Sequence, residues 1–336
     1  MTRPPGPPAD LPPAPSAQRA EHHPDHPAEG QPGHLPVDGP ITALDAPPDG
    51  LGESPLWHPV EQVLYWVDIP GRRLCRFDPV ANAHREWALP SEPGCCAALL
   101  GGGLLLAMRD GIWRFDTATG ERSAVAVPPP YDPARQRYND GKPDAQGRLW
   151  VGTLDDARAP QAALYRLDHD RRLHRVAEGI TTSNGLAFSL DGRTVYWADT
   201  KAHVVMALDV EPVGGTLSRR RVFHAFPPRA EGEPLEAYGG RPDGAAVDSE
   251  GAYWVAMFEG QRLMRLAPDG RVLGVLALPV RCPTMPCFGG PDLRTLYITT
   301  ARQNRPADEL AAQPLAGRVL QLRVSVPGLP AHLVQV

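Results

Sequence analysis

Short runs that alternate apolar and polar residues recur along the chain from residue 41 onward. Six runs rich in aromatic and β-branched residues follow one another about every 40 to 46 residues, with one longer gap, and this period indicates a repeat architecture. They are LYWVDI (64–69), LLLAMR (104–109), LWVGTL (149–154), VYWADT (195–200), YWVAMF (253–258) and LYITTA (296–301). A turn and a second alternating run follow each of them, which predicts β-hairpins.

Two further segments complete most repeats. A third run follows the hairpin, such as REWALP (85–90), and another segment precedes it, such as SPLWHP (54–59). Four strands in each of six repeats predict an all-β fold, a six-bladed β-propeller with four-stranded blades. The last repeat lacks a strand, and PITALDAP (40–47) belongs to no repeat. We therefore expect this N-terminal strand to complete the sixth blade and close the ring, which hides a sheet edge. We expect four tryptophans to pack between blades: Trp66, Trp150, Trp197 and Trp254.

Residues 1–40 differ from the repeats because they are rich in proline and poor in large apolar residues. Such a segment cannot bury enough surface to offset the entropy of ordering it. We therefore expect two parts, a disordered tail over residues 1–40 and one propeller domain over residues 41–336. The long gap at 224–244 holds about fifteen extra residues, and both a lid over the propeller mouth and a surface loop are consistent with it.

Charge and cysteine content narrow the classes of partner and compartment. The net charge is -5, so the chain lacks the basic character typical of nucleic-acid binding. No apolar run has the length of a membrane helix, and the N-terminus has no signal-peptide core, so we expect a cytoplasmic protein without a membrane partner. The five cysteines include no CxxC pair, which favours reduced thiols. We expect a monomer or a weak homo-oligomer.

Polar residues recur where the innermost strand of each blade is predicted to start. The six positions are Glu53, Cys95, Asn139, Asn184, Asp243 and Cys287. In a propeller these positions meet around one central tunnel, and four of the six carry a carboxylate or amide oxygen. Such oxygens are ligands for a hard divalent cation, and a ring of four leaves positions open for water or substrate.

Turn formation is the alternative explanation for three of these positions. NDG, SNG and PDG are common turn tripeptides, and each of them alone predicts a turn. Their occurrence at the same phase of separate repeats favours a shared site instead. Glu53 in GESP has this phase too, although GESP is not a usual turn signal.

The motifs around these positions resemble those of a known family. GESPLWHP, RYNDGKPDAQGRLWVGTL, TSNGLAFSLDGRTVYWADT, RPDGAAVDSEGAYWVA and CFGGPDLRTLYITTAR occur in this order. Together they resemble the regucalcin/gluconolactonase (senescence-marker-protein-like) group of six-bladed propeller lactonases, over residues 41 to 325. The resemblance implies one divalent metal ion, calcium, zinc, magnesium or manganese, held by Glu53, Asn184 and Asp243. It also implies that Arg137 and Asn139 line the substrate pocket.

One position departs from the family pattern. Some members carry a carboxylate after the strand that corresponds to GTL, and this carboxylate contacts the sugar. Here Ala157 stands at the aligned position, preceded by Asp155 and Asp156. Either Asp156 substitutes for the carboxylate or the contact is absent.

The resemblance implies hydrolysis of a sugar-acid lactone to the open-chain aldonic acid, with the lactone as the small-molecule partner. The metal would polarise the lactone carbonyl, and Asp243 would be both a ligand and the catalytic base. Two alternatives stay open: a calcium-binding regulatory propeller without catalysis, and a hydrolase of other esters or organophosphates. The first alternative does not require Arg137, so its presence favours catalysis.

Overall fold

The computed structural model describes residues 33–35 and 37–336. Of the tail predicted to be disordered over residues 1–40, residues 1–32 and 36 lie outside this part of the chain, whereas residues 33–34 and 37–40 belong to strands. The described residues are mostly strands. In chain order the elements are β1 (Gly33–His34), β2 (Val37–Ala43), β3 (Gly52–His58), β4 (Val63–Asp68), β5 (Arg73–Asp78), β6 (Ala83–Ala88), β7 (Pro93–Ala98), β8 (Leu104–Met108), β9 (Gly111–Phe115), β10 (Arg122–Ala126), β11 (Gln136–Pro143), β12 (Leu149–Asp155), β13 (Ala162–Leu167), β14 (Leu173–Ile180), β15 (Ser183–Phe188), β16 (Thr194–Asp199), β17 (Val204–Val210), β18 (Leu217–Ala225), β19 (Arg241–Val247), β20 (Tyr253–Phe258), β21 (Arg262–Leu266), β22 (Val272–Ala277), β23 (Pro283–Gly289), β24 (Thr295–Thr300), α1 (Ala307–Ala312) and β25 (Leu320–Val324).

The strands form six sheets, which are the blades of a six-bladed β-propeller, as the repeats predicted. Blades 1 to 5 each use four consecutive strands, starting with β3, β7, β11, β15 and β19, and the short β1 adds to the edge of blade 5. In blade 6, β2 is the outermost strand beside β25, which confirms ring closure by the N-terminal strand. Composition placed the start of the domain at residue 41, but this strand begins earlier, at Val37.

The blades pack through aromatic residues on their second strands. The predicted tryptophans Trp66, Trp150, Trp197 and Trp254 are all fully buried. Each indole N–H donates to a buried oxygen; that of Trp254, for example, donates to Asp248 Oδ2 at 2.8 Å. These rings therefore fill the space between neighbouring sheets without leaving their polar atoms unpaired.

The C-terminal segment after β25 crosses the end of the ring where the innermost strands finish. Gly328 pairs with Asp248 after β19, and Val334 pairs with Leu99 after β7, so the segment links blades 5 and 2. It helps to line a cavity of about 510 Å³, together with the inner ends of several blades. The residues at the strand starts lie at the opposite end of the tunnel.

The state of the cysteines and the length of the helices were also predicted from the sequence. All five cysteines are free thiols in the described residues, and none forms a disulfide. No helix in this part of the chain combines the length and the apolar character needed to cross a membrane.

Candidate functional site

All six innermost strands carry a β-bulge near their start. In each blade the register against the second strand shifts between two residues: Glu53 and Leu56, Pro93 and Cys95, Tyr138 and Gly141, Asn184 and Ala187, Pro242 and Ala245, and Pro283 and Met285. A bulge interrupts the regular alternation of a strand and changes the direction of nearby side chains. Because the bulges lie at the same end of every blade, the residues within them meet around the axis of the ring.

Two blades differ from the expected arrangement at these bulges. Cys287 does not lie at the start of its strand, because β23 begins at Pro283 and the bulge residue is Thr284. In blade 2 the bulge residue is Gly94, and a Cβ on it would lie 2.3 Å from the carbonyl oxygen of Tyr138. A glycine is therefore required there for the close approach of two backbones. Neither blade contributes a carboxylate or an amide.

A chain of hydrogen bonds joins three of the predicted site residues. Arg137 Nη1 donates to Asn139 Oδ1 at 2.7 Å, and Asn139 Nδ2 donates to Asn184 Oδ1 at 2.8 Å. Asn184 Nδ2 in turn donates to Thr200 Oγ1 at 2.8 Å. These bonds fix the orientation of both amides. Asn184 Oδ1 receives one hydrogen bond and keeps a lone pair for another partner.

Glu53 and Asp243 are buried carboxyl groups with few partners. Glu53 Oε2 accepts the N–H of Ser54 at 3.2 Å, and Asp243 forms no ion pair within the described chain. Burial raises the pKa of Glu53 well above its usual range, and the neighbouring carboxyl of Asp243 raises it further. Burial likewise raises the pKa of Asp243 to about 8, although the charge of Arg241 opposes this. Neither group is easily ionised in these surroundings without an added positive charge.

Asp140 is a third buried carboxyl, which the sequence analysis missed. Its Oδ2 accepts the N–H of Leu186 at 2.7 Å, while Oδ1 has no hydrogen-bond partner in the described chain. Burial raises its pKa to about 6, and its charge raises the pKa of both Glu53 and Asp243. The bulge allows consecutive residues, Asn139 and Asp140, both to face the interior, which simple strand alternation does not predict.

This donor set is chemically suited to a divalent cation. The charge of Asp243 acts on Glu53, Asn184 Oδ1 keeps a lone pair, and burial disfavours the charged carboxylates unless a cation compensates them. Oxygen donors of this kind suit calcium, magnesium or manganese, and zinc also accepts them.

The described residues contain another group of possible ligands. Cys75, His84 and Glu86 lie together on the outer strands of blade 1. Glu86 already has a cationic partner, because Arg73 Nη1 donates to its Oε2 at 2.8 Å. An added cation would therefore compete with Arg73 for Glu86.

Arg137 is a buried guanidinium without a carboxylate partner in the described chain. Besides Asn139, it donates to the carbonyl oxygen of Tyr138 at 3.0 Å. Burial lowers its pKa to about 10, with the charges of Arg158 and Arg109 adding to this effect. A guanidinium has five N–H donors, so several of them are available to a ligand.

The two aspartates before Ala157 differ in their partners. Asp155 Oδ1 accepts the N–H of Ala157 at 2.9 Å and stabilises the turn after β12. Asp156 Oδ2 accepts from Arg109 Nη1 at 2.9 Å and forms an ion pair with this arginine of blade 2. Asp156 is thus held by an ion pair, whereas the buried Asp155 Oδ2 has no hydrogen-bond partner in the described chain.

The long segment between β18 and β19 lies at the same end of the ring as the site, because it joins an outermost strand to the next innermost strand. Tyr238 is buried, and its hydroxyl is hydrogen bonded to His203 Nε2. Arg281 Nη1 donates to the carbonyl oxygen of Leu235 at 3.2 Å. Contacts with blade 4 and with the connection between blades 5 and 6 therefore hold this segment in place.

The chain is similar to several known proteins. Residues 51–302 match the family model described as SMP-30/Gluconolactonase/LRE-like region. A 6-deoxy-6-sulfogluconolactonase from Pseudomonas putida is 45% identical over 284 residues, which cover 84% of this chain and 94% of that protein. A regucalcin from Oryctolagus cuniculus is 33% identical over 290 residues, covering 84% of this chain and 93% of that protein. The crystal structure of a calcium-binding protein, regucalcin, from Agrobacterium tumefaciens superimposes with a TM-score of 0.82 at 28% identity, covering 90% of this chain and 99% of that one.

Proposed function

The chain belongs to the SMP-30/gluconolactonase/LRE-like family, and from this premise we propose that it hydrolyses sugar-acid lactones to open-chain acids with one divalent cation. The observation that supports the proposal is a pair of buried carboxyl groups, Glu53 and Asp243, close enough for the charge of Asp243 to raise the pKa of Glu53. Asn184 Oδ1, which receives one hydrogen bond, is the third proposed ligand. A cation held there would polarise the lactone carbonyl, stabilise the charge that develops on its oxygen and keep Asp243 ionised.

Asp243 is the proposed general base. It accepts a proton from the water that attacks the carbonyl carbon, and the proton passes on to the ring oxygen when the ring opens. The other two carboxyl groups are less suited to this step. Glu53 also bonds the N–H of its neighbour Ser54, and Asp140 is held by the N–H of Leu186.

Arg137 is the proposed substrate donor, and Asn139 positions it. Asn139 Nδ2 donates to both the carbonyl oxygen of Ser183 and Asn184 Oδ1, each at 2.8 Å, so its two N–H donors are in use. Asn139 can therefore accept a hydrogen bond from a substrate hydroxyl, but it has no donor left. Arg137 keeps free N–H groups and supplies the donors.

Binding of calcium without catalysis is the second candidate function. It is retained because the similar proteins include regucalcins, one of which is described as a calcium-binding protein. Arg137 favours the enzyme, because a site that only holds a cation gains nothing from a second, buried positive charge beside it. The Pseudomonas putida relative is named for a gluconolactone with a sulfo group, so sulfonated lactones belong among the substrates to be tested.

A substrate panel tests the proposed function. The protein is first freed of cations with a chelator, and calcium, zinc, magnesium or manganese is then added singly. The substrates are neutral and charged aldonolactones, aryl esters and an organophosphate. We expect lactone hydrolysis that stops on chelation and returns with at least one cation. Absence of lactone hydrolysis with every cation would contradict the proposal, and faster hydrolysis of another ester would favour the alternative substrate class.

Arg137→Ala is expected to lower kcat/KM for a hydroxylated lactone by about 10- to 100-fold, because a buried charged donor is lost. A simple lactone without ring hydroxyls should lose much less, since it never makes this contact. The measurement is kcat/KM for both substrates on both proteins, with cation content determined alongside. Equal losses on the two lactones would remove Arg137 from substrate recognition.

The remaining expectations stay predictions. We infer that the protein acts in the cytoplasm as a monomer or a weak homo-oligomer, without a nucleic-acid or membrane partner. Size-exclusion chromatography with light scattering measures the oligomeric state, and fractionation of cells measures the location.

A further inference from the structure

Two loops bring positive charges close to Thr182, which precedes the start of β15. Arg158 lies in the turn between β12 and β13, and its Nη1 donates to Thr182 Oγ1 at 3.4 Å, two residues before Asn184. Lys201 lies in the turn between β16 and β17, and its Nζ donates to the carbonyl oxygen of Arg158 at 3.3 Å. Both turns follow the second strand of a blade, so they lie at the end of the ring where the innermost strands start.

Neither of these side chains has a carboxylate partner in the described chain, although acidic residues are close. Asp156 is paired with an arginine of blade 2. Asp199 accepts the N–H of Thr181 at 3.0 Å and its hydroxyl as well. Arg158 and Lys201 are both exposed, so their charges are available to a ligand.

The turn that carries Arg158 is held in one conformation. Asp155 Oδ1 accepts the N–H groups of Ala157 at 2.9 Å and Ala159 at 3.4 Å. Arg158 itself has a φ of 58°, in the left-handed region that is uncommon for residues other than glycine. This conformation presents the guanidinium beside Thr182.

Arg158 is also close enough to act electrostatically on the site. Burial is the main cause of the shifted pKa values of Asp243 and Arg137, and the charge of Arg158 lowers both of them. At Ala157, the family pattern implies an acceptor for a sugar hydroxyl. Here that position is apolar and a cation, Arg158, follows it directly.

We propose that Arg158 and Lys201 bind an anionic group, a sulfonate or a phosphate, on the exocyclic carbon of the lactone substrate. The proposal rests on the proposed lactonase function and specifies its substrate class. A guanidinium offers forked donors that match the oxygens of such a group, and an ammonium adds a compact positive charge. A neutral sugar lactone offers neither side chain an anionic partner.

The experiment compares three lactones that differ at one carbon: glucono-1,5-lactone, its 6-phosphate and its 6-deoxy-6-sulfonate. The proteins are the unmodified chain, Arg158→Ala, Lys201→Ala, the double variant and the control Arg171→Ala. Arg171 matches Arg158 because it is exposed and has a φ of 64°, but it lies in the turn between β13 and β14, at the opposite end of the ring. All reactions contain a saturating divalent cation, and kcat/KM is measured at low and high salt.

We expect the unmodified protein to prefer at least one anionic lactone over the neutral one by about tenfold or more. Each single substitution should lower kcat/KM for that lactone by about 10-fold and the double substitution by about 100-fold. The neutral lactone should lose far less, and Arg171→Ala should match the unmodified protein. The preference should shrink as salt screens the exposed charges. Whether the phosphate or the sulfonate responds identifies the group that is bound.

Three results would overturn the proposal. Equal kcat/KM for neutral and anionic lactones in the unmodified protein would do so while leaving the lactonase function intact. Equal losses on neutral and anionic lactones in the double variant would show that these side chains do not select the anion. Failure to hydrolyse any lactone would overturn the proposal together with the function on which it rests.

Discussion

Asp243→Asn is expected to lower kcat for lactone hydrolysis by about a thousandfold or more while the propeller remains folded. A general base contributes about 10²- to 10⁴-fold, and Asn retains an oxygen that can act as a ligand but cannot accept the proton. The fold should survive because Asp243 lies at the axis of the ring and not in the aromatic layers between blades. The measurement is kcat at saturating cation, together with cation content and thermal unfolding.

Asp156→Asn is the matched control for this substitution. Asp156 is a carboxylate at the same end of the ring, but it is exposed and paired with Arg109. An exposed ion pair contributes about 0–1 kcal/mol to stability, so both activity and unfolding should change little. Normal turnover in Asp243→Asn would remove this residue as the base. Lost turnover without bound cation would show that its main role is that of a ligand.

The propeller could be predicted from the sequence because each repeat is defined by short-range patterns. Alternating runs and turns define each hairpin, and the number of repeats defines the number of blades. Ring closure was predicted by elimination, since PITALDAP belonged to no repeat and blade 6 lacked a strand. Strand β2 begins at Val37, earlier than composition indicated, because pairing with β25 orders residues that have little apolar character of their own.

The site was less predictable, because bulges shift the register by one residue. Asp140 was missed since alternation places it on the opposite side of the strand from Asn139. Cys287 was placed at the start of its strand, whereas β23 begins four residues earlier, at Pro283, and Thr284 occupies the bulge. The pairing of Asp156 with Arg109 joins two different blades, so no pattern within one repeat could predict it.

After chelation, the stability of the unmodified protein is expected to fall as the pH rises from about 6 to about 9. Burial raises the pKa of Asp243 to about 8 and that of Glu53 well above its usual range. In the unfolded chain both groups return to ordinary values near 4. Between these limits the folded state binds more protons than the unfolded state, so the free energy of unfolding decreases with rising pH. The loss ends only above the folded pKa values.

The double variant Glu53→Gln, Asp243→Asn should remove most of this slope. At pH 9 the chelated double variant should exceed the chelated unmodified protein by roughly 1–3 kcal/mol in free energy of unfolding, since it holds no charged carboxylates at these two positions. Saturating cation should reverse the order, because an ion bound to the folded state stabilises the unmodified protein and finds fewer ligands in the variant.

Denaturant unfolding at a series of pH values measures both effects, with Asp156→Asn as the control that keeps the slope of the unmodified protein. The free energy of unfolding of the chelated unmodified protein could instead stay constant or rise between pH 6 and 9, relative to the double variant. This result would contradict the burial of two uncompensated carboxyl groups at the axis. The expected result would mean that Glu53 and Asp243 lower stability in the absence of a cation. Residues that destabilise the fold in this way are retained for binding or catalysis and not for packing.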